Sequence, residues 1–268
     1  MRIVVCIKSV PESTAVEFDL ERGTMRREGV GTIINPFDMY AVEEGIRQAE
    51  RHGGTVTALC MGPGQADREL REALAMGCDR AVLLSARAFA GADTLATAYT
   101  LAVAIRALGG ADLVICGKQA IDGDTGQVGP GIAQRLGMVP LTYVSRIHSI
   151  DQDAGKIVVE RLLEDGTELV EAPLPAVITV LKGINTPRYP TRWRLRAARR
   201  TQLEVWGLDE LPQLDPERVG LTGSPTRVVR IFAPEVREGQ VQFFDAEDMD
   251  VAAAALVERL IADRVVGR

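Results

Sequence analysis

The sequence predicts a doubly wound, Rossmann-like α/β fold: a mostly parallel sheet, a small antiparallel section and an extended C-terminal arm. Three observations predict it. Apolar runs of strand length alternate with amphipathic runs of helix length up to Leu136. A glycine-rich polar loop, Gly117–Pro130 (GKQAIDGDTGQVGP), stands between a strand and a helix. Past Lys182 the regular patterning gives way to a chain rich in Pro and Arg. Strands that alternate with helices in this way imply a sheet covered on both faces.

Taken in order, Ile3–Ile7 is a β-branched strand. Val16–Ile34 carries Gly23, Gly29 and Gly31 and is expected to form a hairpin-like excursion. Asp38–His52 is a helix with Val42, Ile46 and Ala49 on one face and Gly53 after its end. Thr55–Cys60 is the next strand, Ala66–Met76 a helix ended by Gly77, and Arg80–Leu84 a strand. Asp93–Leu108 is a long helix stopped by Gly109-Gly110. Ala111–Cys116 reads as a buried strand and Gln127–Leu136 as a short helix with Val128, Ile132 and Leu136 on one face. From Leu141 three antiparallel strands are expected, Thr142–Ile147, Lys156–Leu162 and Thr167–Glu171, with turns at Asp153–Gly155 and Glu164–Gly166. Ala176–Leu181 returns to the main sheet. Residues 207–245 hold Pro and Gly throughout with scattered hydrophobic side chains, and Val251–Val266 is a final amphipathic helix. The expected division is a nucleotide-binding domain over residues 1–183 and an arm with its helix over 184–268. The arm has too few apolar residues to fold alone and is expected to lie on a partner.

Composition narrows the class. Hydrophobic residues make up 46% of the 268 and aromatics only 4%, so the core is large and aliphatic. A net charge of −6 argues against general nucleic-acid binding, which needs a basic face. No apolar run approaches the roughly 20 residues of a membrane span. The opening MRIVVCIKSV is too short an apolar run for a signal peptide. Cys6, Cys60, Cys78 and Cys116 each sit in or beside an apolar segment without a CxxC pair, which fits buried, reduced thiols in a cytoplasmic protein and no metal site.

The glycine loop is the first candidate site, through Asp122, Asp124, Thr125, Gln127 and the glycines Gly117, Gly123, Gly126 and Gly129. The bland alternative is a polar loop in which Asp124 or Thr125 caps the following helix. So many glycines exceed what a cap requires. They let backbone approach a ligand, and free N–H groups at a helix start suit phosphate. The pattern is neither GxGxxG nor a P-loop. The Asp122 and Asp124 carboxylates would repel phosphate, so the N–H groups of Thr125–Val128 are the better donors. Asn35-Pro36-Phe37-Asp38 and Asp93–Thr97 each read equally as ordinary helix starts. Lys8 and Cys60-Met61 end strands at the same sheet edge, and a lysine there is often simply solvated. Glu43 and Glu44 are neighbours on a helix that point apart, so they make no shared proton site. The lack of an acid–base pair or nucleophile triad fits a protein whose cofactor does the chemistry.

The loop, together with NPFDMYAVEEGIRQA (Asn35–Ala49), ALAMGCDRAVLL (Ala73–Leu84) and NTPRYPT (Asn185–Thr191), resembles the beta subunit of electron-transfer flavoproteins. The resemblance covers the chain to about residue 200. It implies that the loop wraps an adenine nucleotide and that Asn35–Asp38, Cys60-Met61 and Lys8 lie near it. The runs DTLAT (Asp93–Thr97) and GDTGQVGP (Gly123–Pro130) look like the FAD-holding, electron-bifurcating branch, in which Thr94 and Thr97 face the flavin ring. Gly126 departs from that branch, which often has a small side chain there. The implied cofactor-binding set is Lys8, Asn35, Asp38, Cys60, Met61, Asp93, Thr94, Thr97, Gly117, Gln119, Asp122, Gly123, Asp124, Thr125, Gly126, Gln127 and Val128. The implied cofactor is FAD that takes electrons from NADH and divides them between the FAD of an alpha subunit, on the way to a dehydrogenase or quinone reductase, and ferredoxin or flavodoxin. The alternative is a subunit that holds a structural AMP. The resemblance also implies a recognition loop after the PRY motif. Its anchoring apolar position falls on Arg192, with Trp193 beside it, which suits a partner with an acidic face; a solvated arginine surface is the other possibility. A rival of a different class is a nucleotide-sensing module, which would be complete near residue 150.

Overall fold

Alternation along the first strand, β1 (Arg2–Ile7), sets the layers of the molecule. Ile3, Val5 and Ile7 enter one apolar core, while Val4 and Cys6 enter a second core on the opposite face. This period of two is what a strand buried on both faces requires. The computed structural model describes residues 1–12, 18–19, 24–25, 31–229, 241, 243 and 248–266.

After β1 come the short strands β2 (Ser9–Pro11), β3 (Phe18–Asp19), β4 (Thr24–Met25) and β5 (Thr32–Ile34). β2 pairs antiparallel with β5, and β3 with β4. The expected hairpin-like excursion is thus present in its described parts; residues 13–17, 20–23 and 26–30 lie outside them. Helix α1 (Pro36–His52) starts with proline at its first position, where no N–H is needed, and ends at Gly53 in a positive-φ conformation. β6 (Thr55–Met61), α2 (Asp67–Met76), β7 (Arg80–Leu84), α3 (Thr94–Ala107), β8 (Leu113–Gly117) and α4 (Val128–Leu136) complete the alternating part. The expected helix over Ala66–Met76 is shorter by a residue, because Gly64–Ala66 forms a 3-10 turn ahead of it. The expected strand over Ala111–Cys116 is displaced by one or two residues and runs to Gly117.

The strand order is β11-β10-β9-β12-β8-β1-β6-β7-β13 in one nine-stranded sheet. Here β9 is Val139–Asp151, β10 Lys156–Leu162, β11 Thr167–Pro173, β12 Ala176–Val180 and β13 Glu204–Trp206. β9 runs parallel to β12 at its start and antiparallel to β10 further on, so the antiparallel section is an outgrowth of the main sheet. The strand expected over Thr142–Ile147 is only the middle of this long element. β12 returns to the main sheet as expected, between β8 and β9.

The boundary expected after residue 183 does not coincide with the division of contacts, which falls after Arg230. Between them lie α5 (Arg192–Arg200), which packs on α2, and β13, which extends the sheet beyond β7. Farther on, Leu211, Leu214 and Val219 are buried in the α3–α4 core. Five arginines hide the helical period of α5, and a strand of three residues gives no alternation to read. The second unit, residues 231–268, contains α6 (Met249–Ala262), capped by Asp248 through the N–H groups of Asp250 and Val251. Among the described residues no helix is long and apolar enough to cross a membrane.

Candidate functional site

The sheet order creates a crevice at a definable place. From β1 the chain moves outward to β6 and β7, then crosses to the other side of β1 to form β8. Ligands of open α/β sheets bind beyond the carboxyl ends of strands at such a switch point. Here the gap lies between the ends of β1 and β8, where Lys8 and Gly117 stand.

Two residues at the start of α1 organise this gap. Asp38 is buried, and its carboxylate accepts the N–H of Lys8 at 2.8 Å and the N–H of Gly117 at 3.1 Å. Burial pushes the Asp38 carboxyl up to about 7, against the hydrogen bonds from Lys8 and Gly117. Asn35 is not a side-chain cap. Its amide nitrogen donates to the Gln119 carbonyl at 2.9 Å, and its amide oxygen accepts the Ile121 N–H at 3.1 Å. The start of α1 is therefore bonded directly to the glycine loop. Gly117 has to be glycine: an added Cβ would lie 2.3 Å from the Asp38 carboxylate and 2.7 Å from Phe37.

The loop is held from both sides. Lys8 Nζ contacts both Asp122 oxygens, at 2.6 and 2.7 Å. The Gln119 amide donates to Asp124, which sits in the left-handed region at φ 55, and Gly126 follows at φ 63. Across the gap, Thr94 Oγ1 donates to Gln127 Oε1 at 2.8 Å, tying the start of α3 to the start of α4. Neither Asp124 nor Thr125 caps α4, whose first residue is preceded by Gln127, which makes no side-chain bond to the amides of the helix start. Among the described residues none accepts a hydrogen bond from the N–H groups of Thr125, Gly126, Gln127, Val128 or Gly129. With the Asp122 carboxylate turned to Lys8, these amides form an anion-receptive turn at a helix start. Gly123 adds open space where a side chain would stand.

The remaining expected residues fall around this centre in different ways. Thr97 is half-buried, one helical turn beyond Thr94 on the same face of α3. Asp93 caps α3 through the N–H groups of Leu95 and Ala96. Its second oxygen accepts from the N–H and hydroxyl of Thr226, at 3.2 and 2.9 Å, and Ser224 Oγ accepts the Asp93 N–H at 2.8 Å. Ser224 and Thr226 are thus brought to the rim of the site, which the sequence did not signal because they lie among Pro and Gly with no periodicity. Met61 is half-buried at the end of β6. Cys60 is fully buried in the core, and its thiol is pushed up to about 12 by burial; its side chain turns inward and only backbone reaches the edge.

The arginine-rich segment is sorted by its contacts. Arg188 bonds Glu43 at 2.8 Å and Glu50 at 2.6 Å, and Asn185 bonds Glu44 and the Tyr40 carbonyl. Glu43 and Glu44 therefore serve separate contacts with the chain that crosses α1. Arg194 bonds the Met76 carbonyl. Arg192, Arg196, Arg199 and Arg200 stay exposed, together with Tyr189 at 96% and Trp193 at 80% exposure. Arg192 and Trp193 lie in the first turn of α5, away from the crevice residues named above.

Residues 22–211 match the Electron transfer flavoprotein domain. The chain belongs to the electron transfer flavoprotein family. It is 45% identical over 268 residues to the electron transfer flavoprotein subunit beta of Thermoanaerobacterium thermosaccharolyticum, covering 99% of this chain and 100% of that one. The corresponding subunit of Clostridium acetobutylicum is 45% identical over 260 residues, covering 97% and 98%. Protein FixA of Azorhizobium caulinodans is 45% identical over 262 residues, covering 96% and 93%. Within the electron transfer flavoprotein family, the chain is thus of the beta-subunit or FixA type, and its activity is electron transfer.

Proposed function

We propose that this chain is the nucleotide-carrying half of a bifurcating electron transfer flavoprotein, assembled with an alpha subunit and holding FAD at the β1–β8 crevice. The observation that carries it is the Thr94–Gln127 bond, which brings the hydroxyl-bearing start of α3 against the amide-lined start of α4. An adenylate fits beside Asn35 and the amides of Thr125–Val128. A ring system attached to it extends toward Thr94 and Thr97, whose hydroxyls can bond the polar edge of a flavin. Bound FAD supplies two-electron exchange with NADH and one-electron exchange with the alpha-subunit FAD and with ferredoxin or flavodoxin. The chain's own residues bind and orient: Lys8 neutralises Asp122, Gly117 lets Asp38 and Phe37 pack against the start of the loop, Gly123 leaves room for the ligand, and Asp93 fixes the α3 terminus. The exposed Trp193 with Arg192 and its neighbours forms a docking face for the dehydrogenase or quinone reductase that receives electrons. Aromatic and arginine side chains are the usual anchors of such faces.

The test is cofactor stoichiometry. The chain is purified with its alpha partner, the complex is denatured, and released FAD and AMP are counted per heterodimer. Two FAD and no AMP is the expected result. One FAD and one AMP overturns it in favour of a structural nucleotide holder, the second reading favoured by the same amide turn. NADH oxidation that requires both a high- and a low-potential acceptor tests bifurcation separately.

A further inference from the structure

The buried carboxyl of Asp38 does more at the crevice than begin a helix. β1 and β8 pair in register as far as Cys6 and Cys116. One step beyond, their pairing stops, and the Asp38 carboxylate stands between them with one oxygen on the Lys8 N–H and the other on the Gly117 N–H. It takes the place of the missing strand pairing at the mouth of the crevice. Several of the bonds that hold the glycine loop start from these two clipped residues or from Asn35 beside Asp38, while the Lys118 N–H on the Val180 carbonyl and Thr94 on Gln127 hold it from outside the clip. Lys8 reaches Asp122, Gly117 begins the loop, and Asn35 holds Gln119 and Ile121. A carboxylate can accept from both amides at once; a carboxylic acid turns one oxygen into a donor that faces an N–H.

We propose that Asp38 is a positioning residue of the nucleotide site: ionised, it clips the ends of β1 and β8 at the spacing the bound nucleotide uses, and proton uptake releases the clip. This rests on the reading of the crevice as a nucleotide site. The groups that face or neighbour Asp38 are Cys6 from β1 and Lys8 just after it, Cys60 from β6, Cys116 from β8, Asp122 beyond Lys8, and Glu69 of α2 behind Cys60. Hydrogen bonding to Cys116 and burial hold the Cys6 thiol neutral, and burial does the same for Cys60. Burial of Asp38 itself brings its proton exchange to about 7.

The test uses the heterodimer with its bound nucleotide. Cys116–Gly117 and Ile7–Lys8 are each unique residue pairs in this chain, so paired 13C/15N labelling picks out the two clipped amides. Expected is a joint movement of both amide signals on one titration curve with a midpoint near neutrality, lost in Asp38→Asn. The bound adenine nucleotide should leave at least tenfold faster at pH 6 than at pH 8, and Asp38→Asn should release it fast at both. Amides that titrate separately or not at all in the wild-type protein overturn the clip, whether or not the variant folds. Joint titration with a release rate independent of pH overturns the positioning role while leaving the nucleotide site intact. Joint titration in a heterodimer that carries no adenine nucleotide overturns the site reading and the positioning role together.

Discussion

At the scale of single residues, the crevice depends on groups whose surroundings are unfavourable by themselves. An added methyl at Gly117 would meet the Asp38 carboxylate and Phe37, so Gly117→Ala must push α1 off the end of β8. Such overpacking costs about 1–3 kcal/mol. The expected outcome is a lower melting temperature together with loss of nucleotide from the purified heterodimer. Asp38 is the converse case. Its carboxyl keeps a proton up to about 7 in the folded chain against an ordinary 3.8, so the folded state binds more protons between those values. The contribution of Asp38 to stability therefore falls as pH rises through that window and levels off above it. Asp38→Asn should gain stability relative to the wild type by on the order of 3 kcal/mol between pH 5 and pH 7.5, read from urea unfolding at both. Above about pH 7 the site thus holds an ionised group at the expense of stability. The sequence marked Asn35 and Asp38 as a helix start. That their side chains point away from the helix, into the loop and the strand ends, is decided by chain segments about thirty and about eighty residues away and leaves no local pattern.

At the scale of elements, strands and helices up to Leu136 were legible because burial on two faces demands continuous apolar runs, as in Leu113–Cys116. Truncating one such residue, Ile115→Ala, should cost about 2–5 kcal/mol by chemical denaturation, since both flanking layers pack on that strand. α5 and β13 were not legible because they are held by polar contacts. Arg71 bonds the carbonyls of Ala198 and Thr201, and Arg80 grips Glu204 with two hydrogen bonds while lying over Trp206. The segment that crosses α1 has the same character. Burial pushes the Glu43 carboxyl up, but hydrogen bonds from Arg188 and Arg47 hold it below its ordinary value. The stability this adds is present above the ordinary value of 4.5 and is lost as pH falls below it. Arg188→Ala strands the buried Glu43 with one partner fewer. It should destabilise the protein by roughly 2 kcal/mol at pH 7 and by less at pH 4, measured by thermal unfolding.

At the scale of the whole molecule, the two ends of the site-bearing unit carry different duties. The crevice opens beyond the carboxyl ends of β1 and β8, while α5 presents Arg192 and Trp193 to solvent. Trp193→Ala combined with Arg192→Glu is expected to slow electron delivery to a protein acceptor by tenfold or more. Released FAD and AMP per heterodimer should stay unchanged, which separates docking from cofactor binding. The sheet of nine strands also has two outer margins, and both are poor templates for another chain. β13 closes one margin with only three residues, anchored by a salt bridge rather than by a long ladder. β11 closes the other with Glu168, Glu171 and a terminal Pro173. Short length, charge and proline are the features that discourage edge-to-edge aggregation. A chain cut or stalled before residue 204 would leave β7, an apolar strand, as a bare margin. β13, the short strand that follows the arginine-rich helix, therefore covers β7 against pairing with a second chain.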